Sequence, residues 1–349
     1  MELKQLCELQ GVSGREELVR AAVYDECVRT LGKENVTIDR MGNVIAHKRG
    51  RDADAPHVMV SAHMDEVGLM VISATDEGLL HVRPIGGIDP RVLVSKRVKV
   101  GYAVPARDGK PAQEPLSGVI GAMAIHQQTA EDRKRVLPID QLYVDIGAKD
   151  KDEALEKAPA GTPITFDTAF TPFGDGRMAA PAMDDRVACA LLVSVMQALP
   201  KTRNTVIAVF STQEEVGCRG AAGAAFRLMP DIGLALEGTT ANDMGDTPAV
   251  HHVCRVGQGT TVSFMDNASI ANPELFRDML ALAQKEGIPH QVKMSVSGGN
   301  EGGTMQRTGA GVRTCVLSVP CRYIHSPSTV CAASDIEAQY RLAKAFLEK

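Results

Sequence analysis

The chain has 349 residues, enough for more than one compact unit, with 44% hydrophobic and 23% charged residues. A net charge of −5, with Lys and Arg scattered, gives no basic field for nucleic acid or an anionic membrane. No stretch approaches the roughly 20 apolar residues of a membrane span. Eight cysteines without a C-x-x-C pair argue against a thiolate zinc site. They read instead as free thiols in a reducing compartment, and Met1-Glu2-Leu3-Lys4 begins no apolar signal core, so a cytoplasmic protein is expected. The absence of Trp and the 4% aromatic content disfavour a carbohydrate or single-strand stacking platform.

Residues 1–32 read as a helical start, with Ser13-Gly14-Arg15-Glu16 as an N-cap and Leu18, Ala21, Ala22 and Val23 as the inward stripe. His57 to Ala62 is a compact apolar strand. From Glu66 to Asp167 the segments Val67–Ile72 and Val94–Val100 are β-like, punctuated by Gly86-Gly87, Asp89-Pro90 and Asp108-Gly109. Only Asp150–Lys157 interrupts them as a helix, so residues 66–167 form a small β-rich insert. Residues 1–65 and 168–349 then form one discontinuous unit. In it a helix over 185–199 leads to a strand over 205–210, and a helix near 219–228 to a strand over 232–236. Further helices near 273–286 and 334–348 flank a strand over 314–319. This alternation predicts an α/β fold with a mainly parallel central sheet covered by helices.

The candidate chemistry gathers at the carboxyl ends of those strands, where open α/β sheets bind ligands. His63 follows the first strand, Glu215 the strand over 205–210, Glu237 the strand over 232–236, and His325 the last, after a short turn. Asp184 opens a helix, where it serves as an N-cap or bridges two cations, and the two roles are compatible. Asp65 lies two residues beyond His63, placed to orient its ring. Glu214 and Glu215 follow a strand, and alternation would send one toward a cation and its neighbour toward a water. Two histidines, a bridging aspartate and two terminal carboxylates make a two-metal site with mixed N and O ligands, suited to Zn2+, Co2+ or Mn2+ rather than Ca2+. Such metals acidify a bridging water, whose proton Glu214 would take and hand to a leaving amine. His57, His81 and the pair His251-His252 offer less, and His126 in the insert could reach over the cleft. No G-x-S-x-G or Cys-His setting competes.

His63-Met64-Asp65-Glu66-Val67-Gly68, Asp184-Asp185-Arg186-Val187, Glu214-Glu215-Val216-Gly217, Glu237 and His325 resemble the dinuclear metallo-aminopeptidases of the glutamyl and tetrahedral aminopeptidase group. The order fits along nearly the whole chain. The resemblance implies a zinc-exopeptidase-like fold and metal ligation by His63, Asp184 (bridging), Glu215, Glu237 and His325, with Glu214 as base. It further implies that residues 66–167 are a dimerisation domain, that dimers assemble into a hollow dodecamer, and that short peptides are the substrates. Two positions depart from the group's pattern. Many members carry aspartate where this chain has Glu237, and their Gly-Gly-Thr-Asp-Ala-like segment is here Gly298-Gly299-Asn300-Glu301-Gly302.

The expected activity is therefore removal of N-terminal residues from short peptides. A deacylase or carboxypeptidase using the same site is the rival reading, and a catalytically silent binding shell is the rival of a different class. A glycosidase would need two carboxylates and no histidine-bound metal.

Overall fold

The structure, a computed structural model, describes residues 1–103, 114–296 and 298–349. The Asp108-Gly109 turn expected from the sequence lies outside the described residues. Eight strands form the central sheet. From edge to edge they are Val36–Ile38, Val44–Lys48, Thr205–Ser211, His57–His63, Ile232–Thr240, Arg313–Cys321, Thr260–Ser263 and His290–Val292. The four central strands, Thr205–Ser211 to Arg313–Cys321, run parallel, and the flanking strands bring antiparallel pairings.

Alternating side chains build the two faces of this sheet. Val206, Ala208 and Phe210 pack on one side with Val58, Val60, Leu234, Leu236 and Leu317, under the helices Glu17–Leu31, Met183–Ala198, Pro273–Lys285 and Ala333–Leu347. Ile207 and Val209 point the other way with Met59, Ala235 and Val316, against Ala224 and Ala225 of helix Arg219–Leu228 and Met305 of the short helix Glu301–Gln306.

The insert is a separate small antiparallel β domain, closed into a six-stranded barrel. Its strands in order around the barrel are Gly68–Ala74, Leu80–Ile85, Tyr143–Asp145, Leu116–Gly121, Arg97–Val100 and Pro163–Phe166, the last pairing back onto the first. Closure leaves no open edge. Val71, Leu80, Val82, Val98, Ile120, Val144 and Ile164 fill it.

Several boundaries differ from the expected ones. Helix Glu17–Leu31 has no side-chain cap, and its buried face is Val19, Val23, Glu26 and Cys27. Ala21 is exposed and Leu18 half-buried, because the register is offset from the stripe read in the sequence. Ser13 is drawn away from capping by Asp65, to whose Oδ2 it donates at 2.6 Å. Strand Ile232–Thr240 runs past Glu237, which therefore lies inside the strand. The β segment expected from Val94 begins at Arg97.

Arg186 ties the N-terminal segment to the root of the insert. Its guanidinium is fully buried, donating to the carbonyls of Leu6 and Leu9 at 2.7 and 3.0 Å and to Glu66 Oε1 at 3.2 Å. Glu66 Oε1 also accepts the Gly11 N–H at 3.0 Å.

Candidate active site

His63 ends its strand beside Ser211, its register partner on the neighbouring parallel strand. The ring is almost fully buried. Nδ1 meets the Asp65 carbonyl at 3.1 Å and Asp65 Oδ1 at 3.5 Å, so Nε2 faces the cleft. There it lies 3.4 Å from Asp184 Oδ1, 3.8 Å from Glu237 Oε2 and 4.0 Å from Glu214 Oε2. His325 approaches from the opposite side. Its Nδ1 meets the Gly87 carbonyl of the insert at 2.8 Å, and Nε2 lies 3.3 Å from Asp184 Oδ2 and 3.4 Å from Glu215 Oε2. The two oxygens of Asp184 thus face two different imidazoles.

Local backbone makes this convergence possible. Helix Met183–Ala198 opens after left-handed Ala182, and Asp184 (ψ 105°) and Asp185 are non-helical. Asp184 makes no N-cap hydrogen bond to this helix, and its carboxylate oxygens face His63 and His325 instead. His325 is also left-handed, at φ 57°. Strained residues of this kind persist where surrounding structure over-determines them.

Glu214 and Glu215 diverge for a reason other than strand alternation. Strand Thr205–Ser211 has ended, and left-handed Gln213 starts a turn. The Asp65 carboxylate accepts both main-chain N–H groups, Glu214 at 2.9 Å and Glu215 at 3.1 Å. Asp65 thereby couples the His63 strand end to the pair, and its carboxylate serves the main chain more than the imidazole.

Burial and mutual repulsion raise most of the carboxylates. Glu215 is pushed up to about 8, first by burial and then by Asp184 among its neighbours. Glu214 and Glu237 are also raised, burial being the largest cause. Asp184 is held below its ordinary range, since His325 and His63 outweigh its burial. The rings respond in turn. Burial opposes their charged form, yet Asp184 and the other acids prevail, placing His63 well above 6.5 and His325 at about 9. So much buried negative charge around two imidazoles calls for compensating cations.

Two acids beyond the expected set belong to this cluster. Asp185 Oδ2 accepts the His63 N–H at 3.2 Å, and the residue can share an ion with His63 and Glu237, as Asp184 can with His63 and Glu215. Glu301 is fully buried, bonds Ser211 Oγ and donates its N–H to Glu237 Oε1 at 3.3 Å. Among the described residues, Asp185 Oδ1 and Glu301 Oε2 are buried without a hydrogen-bond partner. The double Asp-Asp was a signal in the sequence, but which aspartate turns into the cleft depends on the backbone. His126 is exposed and is not among the residues lining the cleft.

The cluster opens into a cavity of 540 Å³, lined also by Cys218, Lys293, Asn300, Thr304 and Arg307. A second cavity of 720 Å³ adjoins it, and Gly87 and His325 line both.

Residues 42–342 match the M42 glutamyl aminopeptidase family. The chain belongs to that family. It is therefore a peptidase hydrolase, and membership implies divalent metal ions. A lysyl aminopeptidase of Pyrococcus furiosus is 36% identical, over 99% of this chain and 96% of its own. An aminopeptidase structure from the archaeon Desulfurococcus kamchatkensis superimposes with TM-score 0.91 at 32% identity, covering 99% of this chain and 93% of that one. A TET1 peptidase of Pyrococcus horikoshii, described as assembling into a tetrahedron or a large octahedral shell, gives 0.83 at 30% identity over 99% and 98%. The aminopeptidase fold of this M42 chain thus agrees with the sheet and inserted β domain described above.

Proposed function

We propose that the chain is a cytoplasmic two-metal aminopeptidase that trims N-terminal residues from short peptides. The observation that carries this reading is the Asp184 carboxylate, whose oxygens lie 3.4 and 3.3 Å from His63 and His325. Imidazole and carboxylate donors with surplus negative charge fit two divalent cations, Zn2+ or Co2+ best and Mn2+ acceptably. His63, Asp184 and Glu237 would hold one ion, and Asp184, Glu215 and His325 the other. When bound, such ions polarise the scissile carbonyl and make a water acidic near neutral pH. Glu214, at the edge of the cluster, would take a proton from the attacking water and deliver it to the leaving amine. Asp65 holds Glu214 and Glu215 in place through their main chain. The excess carboxylate charge attracts the substrate's α-ammonium, and the adjoining cavity has room for the departing peptide.

The cavity lining also supports a side-chain preference. Its carboxylates, among the described residues, all belong to the metal cluster, whereas Lys293 and Arg307 supply cations. An acidic N-terminal residue is the complementary substrate, and a lysyl side chain would meet like charge.

We further read residues 66–167 as a dimerisation domain and the chain as a homo-oligomer whose dimers build a dodecamer. The shell-forming relative supports this. Eight unpaired thiols fit the reducing cytoplasm.

The test is a panel of aminoacyl-anilides, acetylated amino acids and dipeptides on metal-loaded protein. Aminoacyl-anilides should be cleaved, Glu214→Gln should abolish turnover at parental metal content, and His63→Ala and His325→Ala should each lower that content. Selective cleavage of acetylated amino acids would overturn the reading.

A further inference from the structure

We propose that Cys218 is a positioning residue for Glu214, its thiol fixing the carboxylate so that the second oxygen faces the reacting water. This rests on the reading of Glu214 as the base. The Cys218 S–H donates to Glu214 Oε1 at 3.2 Å, and Oε2 is left on the side of His63 Nε2, 4.0 Å away.

The thiol is not needed to hold the turn. Gly217 and Cys218 both donate N–H to the Glu214 carbonyl at 2.8 Å, Arg219 donates to Gln213 at 3.1 Å and Gly220 to Thr212 at 2.9 Å. Asn43 Oδ1 accepts the Thr212 N–H at 2.9 Å and braces the turn from outside. Nor does the thiol cap a helix. Cys218 is the N-cap position of Arg219–Leu228, yet no side-chain cap bond forms there.

Its backbone would suit another residue better. At φ 52° and ψ 38° it is left-handed, a conformation that glycine or asparagine adopts at lower cost than cysteine. The other seven cysteines are buried, while Cys218 is half-buried and lines the cavity. Partial burial and the neighbouring carboxylate push its thiol far up, so it stays protonated and remains a donor. A side chain kept at a costly position, unused by turn or helix, and bonded to Glu214, acts through that carboxylate.

The experiment compares kcat, KM and thermal midpoint of metal-loaded parent, Cys218→Ala, Cys218→Ser and Cys218→Gly on an aminoacyl-anilide. Cys218→Ala and Cys218→Gly should lower kcat about fivefold with KM within about twofold, and Cys218→Ser should recover most of the loss. Cys218→Gly should melt higher than the parent because it relieves the left-handed backbone. Should Cys218→Ala not fold, Cys218→Gly decides alone. Parental kcat in Cys218→Gly would overturn the proposal, as would Cys218→Ser impaired as deeply as Cys218→Gly. The underlying reading fails separately, if Glu214→Gln keeps its turnover. With Glu214→Gln inactive and Cys218→Gly at parental kcat, the positioning role alone is lost.

Discussion

The Asp65 carboxylate accepts the main-chain N–H of Glu214 at 2.9 Å, although 149 residues separate them. Its other oxygen takes the N–H of Glu215 and the hydroxyl of Ser13. Asn at position 65 has one acceptor oxygen and would turn an amide N–H toward a main-chain donor. Leaving a buried donor unmet costs about 1–3 kcal/mol. Asp65→Asn should therefore lose about 2 kcal/mol in urea unfolding and about tenfold or more in kcat.

Glu237 divides its oxygens, with Oε1 accepting the Glu301 N–H and Oε2 facing His63. Shortened by one methylene, the side chain cannot keep both engagements without a shift of the strand or the helix at Glu301. Glu237→Asp is expected to weaken metal affinity about tenfold, read by competition with a chromogenic chelator. Affinity unchanged from the parent would remove Oε2 from the ligand set.

Lys293 carries the substrate prediction. Lys293→Met should lower kcat/KM for a glutamyl-anilide about tenfold while a leucyl-anilide changes little. Equal loss on both substrates would mean a general effect on the cavity and would end the charge argument.

Arg186 makes a stability prediction away from the chemistry. Removing it leaves Glu66 buried, and the carbonyls of Leu6 and Leu9 without their donor. Breaking a buried pair by deleting one partner costs about 3–5 kcal/mol. Arg186→Met should show that loss in denaturant unfolding, and Arg186→Met with Glu66→Gln should recover part of it.

The sequence exposed what depends on pattern. Apolar β-branched runs marked the strands at 57, 205, 232 and 314, and the acids and histidines after them marked the sheet end where the cluster lies. Long-range main-chain geometry was not legible. Nothing in Ser13 announced that Asp65 would take its hydroxyl. Asp184 was singled out by its place at a helix start and by the family resemblance, while the backbone that turns it toward both imidazoles was not legible. The divergence of Glu214 and Glu215 was expected from pleating, but it arises from left-handed Gln213 and the pull of Asp65. Glu301 stood out as a departure in composition, and only the fold brings its N–H to Glu237.

The hydrogen bond that His325 Nδ1–H donates to the insert's Gly87 carbonyl limits how this architecture can be altered. It selects the tautomer whose Nε2 can ligate, and it is a backbone group, so no point substitution at Gly87 deletes it directly. Excising the barrel for a short linker would remove that acceptor together with the subunit contacts read into it. A trimmed enzyme would therefore need a replacement carbonyl before it needed a replacement interface. The outward surface of the barrel can thus be redesigned without touching the site, whereas the loop at Gly87 has to stay with His325.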